Sequence, residues 1–208
     1  MGFKFAGMII PKDGRSAGEC VDLLRAHQGY RRPSDRPPTR LWPSGVQLGD
    51  TEDGIAESHR AVVVLDDALV TEDLEGPGDL PVGWMFFYRF DVIDATGYAL
   101  REPGREKRTF YVDGLEGGDV GGEITEVERR VISECFPADQ QARALEFFTT
   151  SQEVGADLDG SDEDDFICSD PADIMLEALI RRVSGHGMTE GARWRNRVDG
   201  FACSDRTH

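Results

Sequence analysis

No apolar run in this chain approaches the ~20 residues that a bilayer-spanning helix needs, so no transmembrane helix is expected. Cysteine is scarce: Cys20, Cys135, Cys168 and Cys203 stand far apart, without a C-x-x-C pair. That spacing argues against a disulfide-dense secreted scaffold, and free thiols in a reducing compartment are expected. The histidines are His27, His59, His186 and His208, and no two share metal-ligand spacing. A G-x-S-x-G nucleophile elbow is missing. The glycine pairs 117–118 and 121–122 are followed by no Lys-Ser/Thr, and Asp119 and Glu123 beside them repel phosphate. Lysine is nearly absent (Lys4, Lys12 and Lys107), and Asn196 is the sole asparagine. GC-rich coding produces that usage, and an acid-rich, lysine-poor surface also suits high salt; both explanations stay open.

Acid is what the chain has in excess, with a formal charge of −17 over 208 residues. Such a charge disfavours double-stranded nucleic acid and anionic membranes as partners, and favours a basic protein or cations. The densest run is residues 157–165, where Asp157, Asp159, Asp162 and Asp164 are candidate oxygen ligands for Ca²⁺ or Mg²⁺. The run does not fit an EF-hand loop: counted from Asp157, Asp162 stands where glycine is needed and Cys168 where a bidentate Glu is needed. A solvated loop is the plainer reading.

Arginines interrupt the acidic background twice. Arg31, Arg32, Arg36 and Arg40 fall in a proline-rich stretch, and Arg193, Arg195 and Arg197 flank Trp194. Guanidinium groups with an interleaved aromatic suit phosphate or single-stranded nucleic acid, while internal pairing with carboxylates is the simpler role. Cys20 and His27 are two helical turns apart, about 10 Å along the axis, too far for a direct hydrogen bond. The N-terminal run from Met1 to Pro11 lacks a signal-type apolar core, so the cytoplasm is the expected compartment.

Lys4–Ile10 reads as a strand that turns at Lys12-Asp13-Gly14. Ser16 and Glu19 form a capping box for a helix carrying Cys20, Leu23, Leu24 and His27 on one side, with Gly29 at its end. Residues 31–60 are expected to be irregular, and Ala61–Leu65 to be a buried strand. Trp84–Ile93 is apolar on both faces through Tyr88, which suits a central strand. It is expected to pair with a strand at 107–112 through a type II turn at Glu102-Pro103-Gly104-Arg105, with 115–122 an acidic glycine-rich loop. Helical stripes follow at Ile124-Val127-Val131-Cys135, at Ala142-Leu145-Phe148 and at Met175-Leu176-Leu179-Ile180-Val183, the last with Asp170 as N-cap, Pro171 at the first helical position and Gly185 as terminator. The expected fold class is α+β: a small mixed or antiparallel sheet around the central hairpin, helices on one face, and the first strand and helix joining the 61–65 strand in a β-α-β-like order. Residues 1–185 are expected to form one domain and 186–208 a loosely ordered tail.

From about Arg60 onward, the chain resembles a family of uncharacterised proteins common in actinobacteria. The pattern V-x-D-x-x-x-Y-x-x-x-x-x-G is carried here by Val92, Asp94, Tyr98 and Gly104, followed by the strand Arg108–Val112 and the Phe136-Pro137 stretch. The resemblance implies a fold and no chemistry. The function expected from the residues is a non-enzymatic acidic binding or regulatory protein, of the kind that neutralises a basic partner as an antitoxin or immunity protein does. A small hydrolase or nucleotide-handling enzyme with a site in the sheet-edge loops is the alternative, and a divalent-cation module at 157–165 is a third.

Overall fold

The computed structural model describes residues 4–25, 54–65, 80–90, 95–113, 117–151 and 169–186. Seven strands form one sheet in the order β2-β3-β1-β4-β5-β6-β7, every neighbouring pair antiparallel. They are β1 (Lys4–Pro11), β2 (Gly54–Glu57), β3 (Ala61–Leu65), β4 (Trp84–Phe90), β5 (Ala95–Arg101), β6 (Arg108–Asp113) and β7 (Gly117–Gly121). The helices are α1 (Ala17–Arg25), α2 (Glu126–Cys135), α3 (Gln141–Phe147) and α4 (Ser169–Ser184). The α+β class is as expected, and β4 takes the middle place that its two apolar faces demanded.

Strand side chains alternate between faces, so the sheet has two apolar layers. Ile9, Val63, Met85, Phe87, Tyr98 and Phe110 point to the face covered by α2, α3 and α4. Met175, Leu176, Leu179 and Ile180 of α4 are all fully buried against it, as a wide stripe at helical spacing requires. Met8, Ile10, Val62, Val64, Trp84, Phe86 and Tyr88 point the other way, where Cys20, Val21 and Leu24 of α1 join them. Three helices thus share one face, and α1 lies on the opposite one.

Local signals account for several boundaries. Lys12–Arg15 closes with a 2.7 Å hydrogen bond from the Arg15 N–H to the Lys12 carbonyl, and both central residues have positive φ, 44° at Asp13 and 84° at Gly14. That is the type I′ pattern, in which Gly carries no steric penalty and Asp carries little. Glu19 Oε2 accepts from the Ser16 N–H at 2.8 Å while Ser16 Oγ accepts from the Glu19 N–H at 3.3 Å, the reciprocal box expected for α1. Gly104 has φ 77° and the Arg105 N–H bonds the Glu102 carbonyl at 3.1 Å, so the type II turn is present.

Other expectations are corrected. The type II turn joins β5 to β6 rather than β4 to β6: Ala95–Arg101 is a strand of its own, paired on one side with β4 and on the other with β6. Its Gly97 and small alanines hid it, since strand composition normally favours β-branched and aromatic residues. Residues 117–121, expected as loop, form edge strand β7, in which Gly118 packs close against the β6 backbone and Gly121 against the Thr109 side chain. Gly54–Glu57 is edge strand β2 inside the stretch expected to be irregular. β1 and β3 are neighbours with α1 between them in sequence, but they run antiparallel rather than as a parallel crossover. In α3 the buried side chains are Ala144, Phe147 and then Phe148, whereas Ala142 is exposed. Helix α4 begins at Ser169, so Pro171 falls in its first turn, two residues past the start.

Candidate functional site

The face beneath α2–α4 is apolar apart from two groups of polar side chains, the larger of them built around α2. Thr125 is the N-cap of that helix and Glu128 is its N3 residue, giving a second capping box: Thr125 Oγ1 accepts from the Glu128 N–H at 3.3 Å. Glu128 Oε2 accepts from the Thr125 N–H and hydroxyl, both at 2.6 Å. Glu128 Oε1 accepts from the Tyr98 hydroxyl at 2.8 Å and from Arg108 Nε at 2.9 Å. Arg108 also donates to the carbonyls of Gly121 at 3.3 Å, Gly122 at 3.4 Å and Phe148. Glu128 and Tyr98 are 0% exposed and Arg108 1%. One carboxylate and one guanidinium therefore bind together β5, β6, β7, the start of α2 and the end of α3. All four acceptor positions of the carboxylate are filled, which leaves none for a substrate proton. Burial, and after it the Glu128 charge, pushes the Tyr98 hydroxyl well above the usual tyrosine range.

A second buried group fastens α4. Asp173 Oδ1 accepts from the Thr96 hydroxyl at 2.7 Å and lies 3.2 Å from Arg89 Nε, while Arg89 Nη1 donates to the Ala95 carbonyl at 3.3 Å. At the far end of α4, Ser58 Oγ donates to the Ser184 carbonyl at 2.5 Å and accepts from the N–H groups of Arg60 and Ala61, each at 3.1 Å. Both groups hold elements in place. Asp113, at the end of β6, accepts a hydrogen bond from the Tyr111 hydroxyl. His59 is exposed and accepts from Arg60 Nε at 3.2 Å, and His186 is buried just beyond α4. Sequence reading passed over Thr125-x-x-Glu128, although Thr three residues before Glu ahead of a Val-Ile helix is a legible signal. Arg108 and Arg89 had none, because an arginine in a strand reads as solvent-facing until its partners are known.

The candidate cation ligands Asp157, Asp159, Asp162 and Asp164 lie outside the described residues, as do Arg31, Arg32, Arg36, Arg193, Trp194 and Arg195, together with His27. Among the described residues, no group of three His, Cys, Asp or Glu side chains is arranged to hold a metal ion. No helix among them is long and apolar enough to cross a membrane.

The remaining acid has a pattern that the topology makes visible. The described residues carry 15 Lys and Arg against 17 Asp and Glu, a balance of −2, so −15 of the −17 falls elsewhere in the chain. Segment 66–79 holds six carboxylates and segment 152–168 seven, without a basic residue in either. The antiparallel register brings Gly54, Leu65, Phe90, Ala95, Asp113 and Gly117 to one end of the sheet. The Thr96–Asp173 bond places the start of α4 at that same end. Next to these ends along the chain stand Asp66-Asp67, Asp91 and Asp94, and Glu116; Asp165 stands four positions before Ser169, and Glu52-Asp53 close a segment, 26–53, in which four arginines balance four carboxylates. The opposite end carries the turns at 12–15, 58–60 and 102–105, where acid and base alternate and pair: Lys12 Nζ with Glu57 Oε1 at 2.5 Å and Arg105 Nη1 with Glu102 Oε2 at 3.0 Å. Compared with protein-family models, curated proteins and solved structures, the chain matches none.

Proposed function

We propose that this is a non-enzymatic binding protein that meets a basic protein partner at the acidic end of its sheet. One observation carries the reading: Leu65, which opens onto the six carboxylates of 66–79, Phe90 and Ala95, which flank Asp91 and Asp94, Gly117 beside Glu116, and the start of α4, which follows the seven carboxylates of 152–168, lie at one end of the sheet, although segment 66–79 returns to the sheet at the other end, ahead of Trp84. Carboxylates concentrated in a few segments attached to a nearly neutral body give an uneven field, which orients a cationic partner and speeds its encounter. The well-partnered buried carboxylates Glu128 and Asp173 fit the same reading, since they fasten the scaffold on which that end is displayed. Asp157, Asp159, Asp162 and Asp164 belong to this contact region in the proposal, and an inhibitory or neutralising role of the antitoxin or immunity kind is its most specific form.

The test uses the full chain as bait in extracts of its native host at low salt, beside a variant carrying Asp66→Asn, Asp67→Asn, Asp91→Asn and Asp94→Asn. The expected outcome is a basic protein held by the natural chain, released as salt rises, and held at least tenfold less by the variant. Retention unchanged by the four substitutions, or no basic protein retained at any salt, overturns the proposal.

A further inference from the structure

We draw no further inference here: the strongest candidate, the aromatic strip Trp84–Phe86–Tyr88 on the α1 face of the sheet with half-buried Tyr111 beside it, carries nothing because nothing in the structure shows what covers it.

Discussion

Glu128, at the start of α2, and Asp66, bonded to the last residue of β3, bear the same group, one inside a buried network and the other in a stretch of chain without a base. Glu128 is wholly buried and receives four hydrogen bonds, one from a guanidinium that is itself 1% exposed. Asp66 opens a segment of six carboxylates in which no lysine or arginine occurs. The contrast separates acid that fastens the layers from acid in segments of chain that hold no basic residue. Net charge alone merges the two. Here the described body is close to neutral, and the character suggested by −17 belongs to the segments between its elements.

The sharpest way to break this contrast is to unpair the buried acid. Arg108→Met should lower the unfolding free energy by roughly 3–5 kcal/mol, because it strands a buried charge. Adding Glu128→Leu should restore much of that loss, since the cost lies in the unpaired ion more than in the missing contact. Urea unfolding of the two variants beside the natural chain measures both. If the single variant loses less than about 1 kcal/mol, the pair is not the fastening described.

Alkaline pH attacks the same group from another side. The Tyr98 pKa is raised in the folded chain above its ordinary 10.0. An unfolded chain releases that proton at lower pH than the folded one does, so the folded state binds more protons there. The corresponding stability is fully present below pH 10 and is lost as pH rises toward the folded value. Tyr98→Phe should make the alkaline loss of stability shallower by one proton, while costing about 1–2 kcal/mol at neutral pH through the missing hydrogen bond to a charged acceptor. Unfolding curves collected from pH 8 to 11 distinguish the two effects.

Thr125→Ala removes the N-cap and one donor to Glu128, with an expected loss of about 1–2 kcal/mol. A thermal melt of this variant is the check, and Ser16→Ala at the exposed cap of α1 should fall at the lower end of the usual range. The smallest expected effect on stability is in segment 66–79: Asp66→Asn with Asp67→Asn should change the unfolding free energy by no more than about 0.5 kcal/mol, the usual span for substitutions that disturb no core packing or buried pair. A larger loss would mean that these carboxylates are part of the fastening, and the division between the two kinds of acid would dissolve.

Much of the architecture was legible because its signals are local. The Ser16–Glu19 box, the Pro103-Gly104 turn, the α4 stripe and the doubly apolar β4 each follow from a few adjacent residues. Where reading failed, packing outweighed propensity. β5 keeps Gly97 where the Tyr88 ring leaves no room for a side chain: an added Cβ would sit 2.7 Å from that ring. β7 has Gly118 where an added Cβ would meet the Tyr111 carbonyl and Gly121 where it would meet Thr109 Oγ1. None of these positions declares itself in a propensity scale, since what selects glycine there is a neighbour distant in sequence.

By itself the sequence determined the class of fold, the middle place of β4, the start of α1 and the sign and size of the charge, all of which depend on composition or on residues within a few positions of each other. Only the tertiary structure decided which charges are paired in the interior. The partners of Arg108 lie 13 to 40 residues away, and those of Arg89 lie on β5 and α4. A side chain's charge is written in the chain, but its solvation and its counter-ion are set by whichever distant elements the fold brings against it.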